Sequence, residues 1–344
     1  MNSKVSLSIV ALSLGAIVTA CGGNQPTTST DSTSQSSTSS SSLSGDVLAD
    51  GSSTVGPVTI AAAESFQSVE SGVNVSVGTS GSGGGFTKFC VGETDISNAS
   101  RPIKESEIET CESNGIEFVE IPVAFDGLAV VTSKDNEFTQ CLTTEQLNFV
   151  WNSNAEGEVT SWADIEGGGF PDVPLSLYAP GVDSGTFDYF NEAILDEDDI
   201  RADFTPSEDD NVIVTGVSGN EGGLGFFGLA FYEENKEILN VVGIDGGDGC
   251  VVPSAETVEN GTYNPLARPL FIYVNVASAE GKPQVEAFVD YYLENAAELS
   301  TSVGYIGLPT EAYAAITTHW TSRGTGSNFQ DVAPGTPIGG LFNN

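Results

Sequence analysis

Positive charge and imidazole are scarce in this chain of 344 residues. Ten Lys and Arg stand against 48 Asp and Glu, which gives a formal net charge of −38, and the single histidine is His319. A chain this acidic repels a phosphodiester backbone, so nucleic acid is excluded as a natural partner. With one imidazole, no Gly-x-Ser-x-Gly elbow and no Cys-x-x-Cys pair, the sequence predicts neither a serine hydrolase nor a metal site, and it implies no cofactor.

The first 20 residues contain no acid and no apolar run long enough to span a membrane. Lys4 precedes an apolar, small-residue-rich run from Val5 to Ala20, which is typical of a signal peptide over residues 1–20. The run ends in Val18-Thr19-Ala20-Cys21, which resembles the bacterial lipobox. The resemblance implies cleavage before Cys21 and a lipid on its sulfur; an ordinary signal peptide followed by an incidental cysteine is the alternative.

A polar segment follows the signal peptide. Residues 27–44 are almost entirely Ser and Thr, so they lack the apolar surface that would offset the entropy of ordering. We therefore expect a flexible tether over residues 21–45. Signal peptide, lipid-modified cysteine and tether together predict a domain that is lipid-anchored to the membrane, in the periplasm or at the cell surface.

Four cysteines remain after Cys21. An even count in an exported protein predicts two disulfides, and three pairings of four cysteines are possible. We expect Cys90–Cys111, which closes a short loop, and therefore Cys141–Cys250.

The remaining chain, from about residue 46, has the composition of a globular protein and is long enough for two lobes. Strand-like and helix-like patterns alternate, which favours an α/β fold. We find no internal repeat, and we expect the Gly- and Pro-rich tail after Arg323 to wrap the surface. The patterns predict strands at 73–77, 116–121, 126–131, 211–214, 238–242 and 269–274, and helices at 143–151 and 283–299.

Three segments rich in Gly, Ser and Thr each lead into a helix-like pattern. They are Gly51–Pro57, Gly78–Gly85 and Asp183-Ser184-Gly185-Thr186. Free backbone N–H groups at a helix start bind anions without a positive side chain, although a plain N-cap is the alternative for any one of them. No segment is a Walker loop, which requires Gly-Lys-Ser/Thr, and none is a clear dinucleotide fingerprint.

Five motifs occur in an order that resembles a known family: Asp50–Val55, Gly81–Gly85, Thr94–Ile103, Pro180–Phe187 and Gly223–Gly228. The chain resembles the phosphate-binding lipoproteins (PstS/SphX-like) of the bacterial high-affinity phosphate ABC importer. The resemblance implies a type II periplasmic-binding-protein fold, with two lobes joined by two crossing strands and the ligand between them. It implies a first lobe of residues 46–124 and 270–344 and a second lobe of residues 125–269.

The resemblance also implies a function and a set of contacts. We expect a monomer that binds inorganic phosphate and delivers it to the permease and ATPase subunits of the importer. Many relatives carry an Arg where this chain has Pro180, so we expect Arg101 to supply at most one guanidinium by pairing with Asp95 and phosphate together. The resemblance makes Asp95 the carboxylate that accepts from the ligand, beside hydroxyls and helix N-terminal amides. The expected ligand-binding residues are Ser53, Thr54, Val55, Ser82, Gly83, Asp95, Arg101, Ser184, Gly185 and Thr186.

Two alternatives to phosphate binding remain. The same fold binds other oxyanions such as sulfate or molybdate, or an organic phosphate. Asp183-Ser184-Gly185-Thr186 also matches the aspartic-protease motif, but that chemistry requires two carboxylates sharing a proton, and no second Asp-Ser/Thr-Gly occurs. We therefore expect a binding protein rather than an enzyme.

Overall fold

The computed structural model describes residues 43–182, 184–196, 199–330, 332 and 338–342. The predicted signal peptide, Cys21, nearly all of the tether, and Asp183 lie outside these ranges. Within them, no helix combines the length and the hydrophobicity needed to cross a bilayer.

Helices and strands alternate along the first part of the chain, as the patterning predicts. The elements up to the long strand are β1 (Gly45–Gly51), α1 (Gly56–Val69), β2 (Val73–Val77), α2 (Gly81–Phe89), β3 (Ile96–Ala99), α3 (Glu105–Ser113) and β4 (Phe118–Ser133). Next come β5 (Cys141–Thr143), α4 (Thr144–Trp151), β6 (Ser176–Ala179), α5 (Gly185–Leu195), β7 (Thr205–Pro206) and α6 (Asp210–Ser218).

The remaining elements complete both lobes. They are β8 (Gly223–Gly228), α7 (Leu229–Asn235), β9 (Leu239–Val241), β10 (Gly243–Asp245), β11 (Cys250–Val251), α8 (Ala255–Glu259), β12 (Ala267–Asn275), α9 (Val276–Gly281), α10 (Pro283–Ser302), α11 (Thr310–Thr321) and α12 (Ile338–Leu341).

The sheet topology shows two lobes that share strand β4. The strand order is β2-β1-β3-β12-β4-β8-β6-β7, with β9 also paired to β4. The first lobe contains β2, β1 and β3, which are mutually parallel, and the second contains β8, β6 and β7. The first half of β4 pairs with β12 and its second half with β8. Strands β4 and β12 are therefore the two connections of a type II periplasmic-binding-protein fold.

Long-range aromatic packing sets the position of helix α5 in the second lobe. Phe190 of α5 stacks on Phe226 of β8 with ring centroids 3.9 Å apart, and both rings are fully buried. Trp151 at the end of α4 packs edge-on against both rings. This apolar contact fixes one face of α5 and leaves its opposite face to the space between the lobes.

Three of the sequence-based expectations for the elements are wrong. The two strands predicted at 116–121 and 126–131 are one continuous strand, β4, because it passes through both sheets and is buried along its whole length. The strand predicted at 211–214 lies in helix α6, whose N-cap Asp209 accepts from the Asn211 amide. The tail does not merely wrap the surface, because Phe329 and Phe342 join the core.

Both expected disulfides are present. Cys90–Cys111 links the end of α2 to α3, and Cys141–Cys250 links β5 to β11 of the small sheet β11-β10-β5. The helix predicted from the capping box at 143–146 also occurs: Thr143 Oγ1 accepts from the Gln146 amide, and the Gln146 side chain accepts from the Thr143 amide.

Candidate functional site

The cleft between the lobes lies where strands β1, β2 and β3 of the first sheet end. The carboxyl ends of parallel strands lie along one edge, which is where open α/β sheets bind ligands. The cleft has a volume of about 430 Å³. It is lined by Ser52, Ser53, Thr54, Gly81, Ser82, Gly83, Ser100, Arg101, Lys104, Asp188, Asn191, Glu192 and Arg268.

The first wall comes from the segments that follow β1, β2 and β3. Ser52, Ser53 and Thr54 follow β1, and Ser82 opens helix α2 after β2. Ser100 follows β3, and its amide donates to Ser82 Oγ at 3.1 Å while the two hydroxyls lie 3.2 Å apart. Because these hydroxyls converge from three strand ends, this wall offers several donors to one anion.

Asp50, the penultimate residue of β1, holds the loop before α2 against that strand. Its carboxylate accepts from Ser80 at the amide (3.0 Å) and at the hydroxyl (2.7 Å), and it forms an ion pair with Lys88. Burial raises the pKa of Asp50, but the bonds from Lys88 and Ser80 outweigh it, so the pKa lies below its ordinary value. The loop that leads to Ser82 is thus fixed to the strand that precedes Thr54.

The second wall is helix α5, which meets the first lobe at Thr54. The buried Thr54 hydroxyl donates to Gly185 O at 3.3 Å. A side chain at Gly185 would overlap this contact, since its Cβ would lie 2.6 Å from Thr54 Oγ1. Glycine at this position therefore lets the helix start approach the β1 loop closely.

Arg268, the second residue of β12, enters the cleft from the hinge. Its Nη2 donates to Thr54 Oγ1 at 3.2 Å and its Nη1 to Glu192 Oε2 at 3.1 Å. The guanidinium carbon lies 3.6 Å over the ring of buried Tyr189, and Nε lies 3.5 Å from buried Asp126. Arg268 thus touches both lobes and both connecting strands.

Arg101 lines the opposite side of the cleft, but it does not pair with Asp95. Its two terminal nitrogens donate to the Glu107 carboxylate at 2.9 and 2.8 Å, and it lies over the Phe86 ring. This bidentate pair fixes the guanidinium at the cleft margin. The ion pair raises the pKa of Arg101 against the opposing effect of its burial, so it remains a cation.

Two carboxylates face the cleft from α5, at positions 188 and 192. The pair is four residues apart and therefore shares one face of the helix. Asp188 Oδ2 accepts from Ser53 Oγ at 3.4 Å. Desolvation by the cleft walls raises the pKa of Asp188, with Ser53 and Arg268 opposing the change.

Asp95, the predicted acceptor carboxylate, lies away from the cleft, so that expectation is wrong. It precedes β3, whereas Ser100 and Arg101 follow it. At about 3.3 Å per strand residue, the two ends of this segment are roughly 20 Å apart. The buried Asp95 carboxylate accepts from the Leu48 amide (3.0 Å), Ser278 Oγ (2.7 Å) and Lys282 Nζ (2.7 Å). Its role is to join β1, β3 and helix α9.

The other expected residues lie in three places: the lining of the cleft, the interior behind it, and the start of α5. Ser53, Thr54, Ser82, Gly83 and Arg101 line the cleft. Val55 is buried behind it, with its amide donating to Ser52 Oγ at 3.3 Å.

The expected residues Ser184, Gly185 and Thr186 lie at the start of α5. Ser184 caps this helix by accepting from the Thr186 amide at 3.2 Å, and Gly185 contacts Thr54. Thr186 borders a second cavity near α7 rather than the cleft.

Sequence reasoning missed Arg268 and the acidic face of α5. The signal for Arg268 was its place directly before the strand predicted at 269–274. The structure shows that this strand, β12, is one of the two connections between the lobes, so a cation at its start lies near both. The signal for Asp188, Asn191 and Glu192 was their helical spacing after the Ser184 cap. Among the described residues, no group of three or more His, Cys, Asp or Glu side chains is arranged to hold a metal ion.

Comparison with known proteins agrees with this architecture. Residues 32–296 match the model of a PBP superfamily domain. The chain belongs to the PBP superfamily. It is 51% identical over 284 residues to Protein SphX of Synechococcus elongatus, covering 82% of this chain and 83% of that one. It is 36% identical over 304 residues to the phosphate-binding protein PstS of Staphylococcus saprophyticus, covering 88% and 89%.

A solved structure shows the same fold for this PBP superfamily member. A possible phosphate-binding protein from Planctomyces limnophilus superposes with a TM-score of 0.77 at 40% identity, covering 82% of this chain and 99% of that one. The PstS and Planctomyces relatives are named as phosphate-binding proteins, and this chain belongs to the same superfamily and is not an enzyme. The hydrolase alternative built on Asp183 is therefore wrong.

Proposed function

We propose that this PBP superfamily member binds inorganic phosphate in the interlobe cleft, outside the cytoplasm, and delivers it to an ABC permease. The observation that carries the proposal is the convergence of hydroxyls from three strand ends with the Arg268 and Arg101 guanidinium groups. Such donors, held in fixed positions, suit a tetrahedral oxyanion. The similarity to PstS and to the Planctomyces phosphate-binding protein supports phosphate in particular.

Five of the residues expected from the sequence line the cleft and contact the ligand in this proposal, and Arg268 joins them. In this proposal Ser53, Thr54 and Ser82 donate hydroxyls, Gly83 donates its amide, and Arg101 and Arg268 supply charge. Ser184 and Gly185 form the start of α5 on the facing wall. The amides of Val55 and Thr186, which donate to the Ser52 and Ser184 hydroxyls, hold these two segments in place.

We assign recognition of the ligand's proton to Asp188. Phosphate at neutral pH carries one or two protons and can donate to a carboxylate, whereas sulfate cannot. A carboxylate in the cleft is then compatible with phosphate but leaves a repulsive contact with sulfate. Asp188 lies on the cleft wall beside Ser53, and Asp95 is committed elsewhere.

Calorimetric titration with phosphate, arsenate, sulfate, molybdate and glycerol phosphate tests the ligand. We expect phosphate and arsenate, which share charge and protonation, to bind and sulfate to bind at least 100-fold more weakly. Preferred binding of sulfate, molybdate or glycerol phosphate would show that the fold serves another ligand.

The Asp188→Asn variant tests the proton acceptor. Removing the carboxylate removes its repulsion toward sulfate, so we expect discrimination between phosphate and sulfate to fall by at least tenfold while phosphate binding persists. The matched control is Asp95→Asn, which breaks the pair with Lys282 outside the cleft. We expect that variant to lose stability and keep its selectivity; the reverse pattern would return the role to Asp95.

The proposed location depends on Cys21, outside the described residues. We propose that a lipid on Cys21 holds the protein at the outer face of the membrane. A Cys21→Ala variant should appear in the soluble fraction of cells, and the parent in the membrane fraction. Equal partitioning of the two proteins would contradict the anchor.

A further inference from the structure

The cleft contains an ion pair between Arg268 and Glu192 at the place where the proposed ligand would meet Arg268. Tyr189 and Asp126 fix one side of the guanidinium. Its cleft-facing nitrogens are occupied by Glu192 and by Thr54. A carboxylate on such a nitrogen occupies the same donor as one edge of an oxyanion.

We infer that Glu192 is an internal competitor for the ligand. Its carboxylate neutralises Arg268 in the empty cleft and must leave Nη1 before an anion can engage both terminal nitrogens. This inference rests on the proposed anion binding, and it assigns Glu192 a role in setting affinity rather than in contacting the ligand.

The Arg268 and Glu192 side chains differ in solvent exposure, which indicates that Glu192 rather than Arg268 moves when the ion pair separates. The Arg268 side chain is 11% exposed, whereas the Glu192 side chain is 46% exposed. Arg268 is also held by the Tyr189 ring and by Asp126, which pairs with it in register across β4 and β12. Among the described residues, the Glu192 side chain accepts no other hydrogen bond. It can therefore rotate into solvent while Arg268 stays in place.

Glu192 also keeps the Arg268 guanidinium paired with a negative charge when no anion is bound. Asp126 is completely buried and lies no closer than 3.5 Å to Arg268 Nε, so it neutralises the guanidinium from one side only. Removing a partner from a partly buried cation is unfavourable. Glu192 supplies the missing charge at the open side, and an anion replaces it on binding.

The cost of displacing Glu192 is small because the pair is partly exposed, where ion pairs contribute little. Removing the competitor should therefore lower the phosphate dissociation constant by a few-fold, roughly three- to tenfold. The decrease in the dissociation constant should persist in about 0.5 M salt. Salt screens the field of the acidic surface more strongly than it screens a direct contact between Arg268 and the ligand.

Two variants of Glu192 separate competition from net charge. Glu192→Gln removes the charge, whereas Glu192→Asp keeps it but shortens the side chain by one methylene, which breaks the 3.1 Å contact with Nη1. We expect both variants to bind phosphate more tightly than the parent in calorimetric titrations. If only Glu192→Gln binds phosphate more tightly, the gain comes from the lost negative charge and not from the lost contact with Nη1. That result would overturn the inference.

The matched control is an ion pair of the same design outside the cleft. Arg323 lies 4.0 Å over the Trp320 ring and pairs with Glu286, whose side chain is 48% exposed. Glu286→Gln therefore removes an equally exposed charge from an equally stacked Arg. We expect no change in affinity; equal tightening by the Glu286 and Glu192 variants would overturn the inference.

Whether the Glu192 variants bind phosphate more tightly or more weakly than the parent tests this inference separately from the proposed function. Phosphate binding by the parent protein tests the function alone. If the parent prefers another oxyanion, the same variants are compared with that ion, and the competition is judged there. Weaker binding by Glu192→Gln would make Glu192 a ligand contact, and no anion binding at all would overturn both ideas.

Discussion

Arg268 has partners on its inner side that keep it in place and a cleft-facing side that can exchange partners. The inner side consists of the Tyr189 ring, 3.6 Å away, and buried Asp126. Within the part of the chain that the structure describes, Asp126 Oδ2 and Arg268 Nε have no hydrogen-bond partner, so the contact between them is electrostatic. Burial raises the pKa of Asp126, with Arg268 opposing the change.

The Arg268→Gln variant should bind phosphate roughly 10- to 100-fold more weakly, because a hydrogen bond from a charged donor contributes about 1.5–3 kcal/mol. Calorimetric titration measures the loss. Arg323→Gln, which alters the stacked arginine outside the cleft, is the matched control and should bind as the parent does.

Loss of Arg268 also leaves buried Asp126 without a cation, which by itself destabilises the fold. The double variant Arg268→Gln, Asp126→Asn relieves that charge and should recover the unfolding temperature without recovering affinity. If affinity returns together with stability, Arg268 acts only on the fold.

Three consecutive acids, Glu208, Asp209 and Asp210, lead into helix α6. Asp209 caps the helix, and Asp210 follows in its first turn. Burial, followed by the charges of Asp209 and Glu208, raises the pKa of Asp210 to about 6. Because the ordinary value is 3.8, folding binds a proton at Asp210 between about pH 4 and pH 6.

Stability therefore falls as pH rises through that window, since the folded state binds more protons than the unfolded state there. We expect Asp210→Asn to raise the free energy of unfolding by about 1 kcal/mol at pH 7.5, discounting for partial exposure and for the favourable helix dipole. The gain should vanish near pH 4. Urea unfolding at both pH values measures it, and a gain that is independent of pH would contradict this account.

The same helix shows why the strand predicted at 211–214 is wrong. Val212, Ile213 and Val214 form a β-branched run, which favours a strand by propensity. The buried positions are 213, 214 and 217, which is helical spacing. The capping by Asp209 and the packing against β8 outweigh a propensity difference of a few tenths of a kcal/mol per residue.

At the scale of the whole molecule, the two disulfides close loops of very different length. Cys90 and Cys111 are 21 residues apart, and Cys141 and Cys250 are 109 apart. In the chain-entropy account, the longer loop stabilises the fold more, by about 1–2 kcal/mol. Neither bond lines the cleft.

Replacing Cys141 and Cys250 by Ser should therefore lower the free energy of unfolding by about 2–5 kcal/mol. Replacing Cys90 and Cys111 should lower it less. Both double variants should retain phosphate affinity at 20 °C. Chemical denaturation and calorimetric titration check the two parts, and a larger loss from the Cys90 and Cys111 pair would contradict the loop-length argument.

Features that depend on local contacts and on motif order could be predicted from the sequence. The Thr143 capping box, the Ser184 cap and strand β2 depend on residues within a few positions of each other, so their pattern could be read along the chain. The two-lobe fold followed from a resemblance spread over most of the chain. The hydroxyls at positions 53, 54 and 82, which do line the cleft, came from the same motifs.

The charged groups that meet at the cleft could not be predicted, because their contacts depend on the tertiary fold. Ser53 and Asp188 are 135 residues apart, and Thr54 and Arg268 are 214 apart, so their contact depends on how the crossing strands place the lobes. Asp95 and Arg101 occur in one motif, yet an intervening strand sends them to opposite ends of the sheet. Residues that are close in sequence lie far apart in space when an extended strand separates them. Residues that are far apart in sequence come together where the connecting strands bring the two lobes into contact.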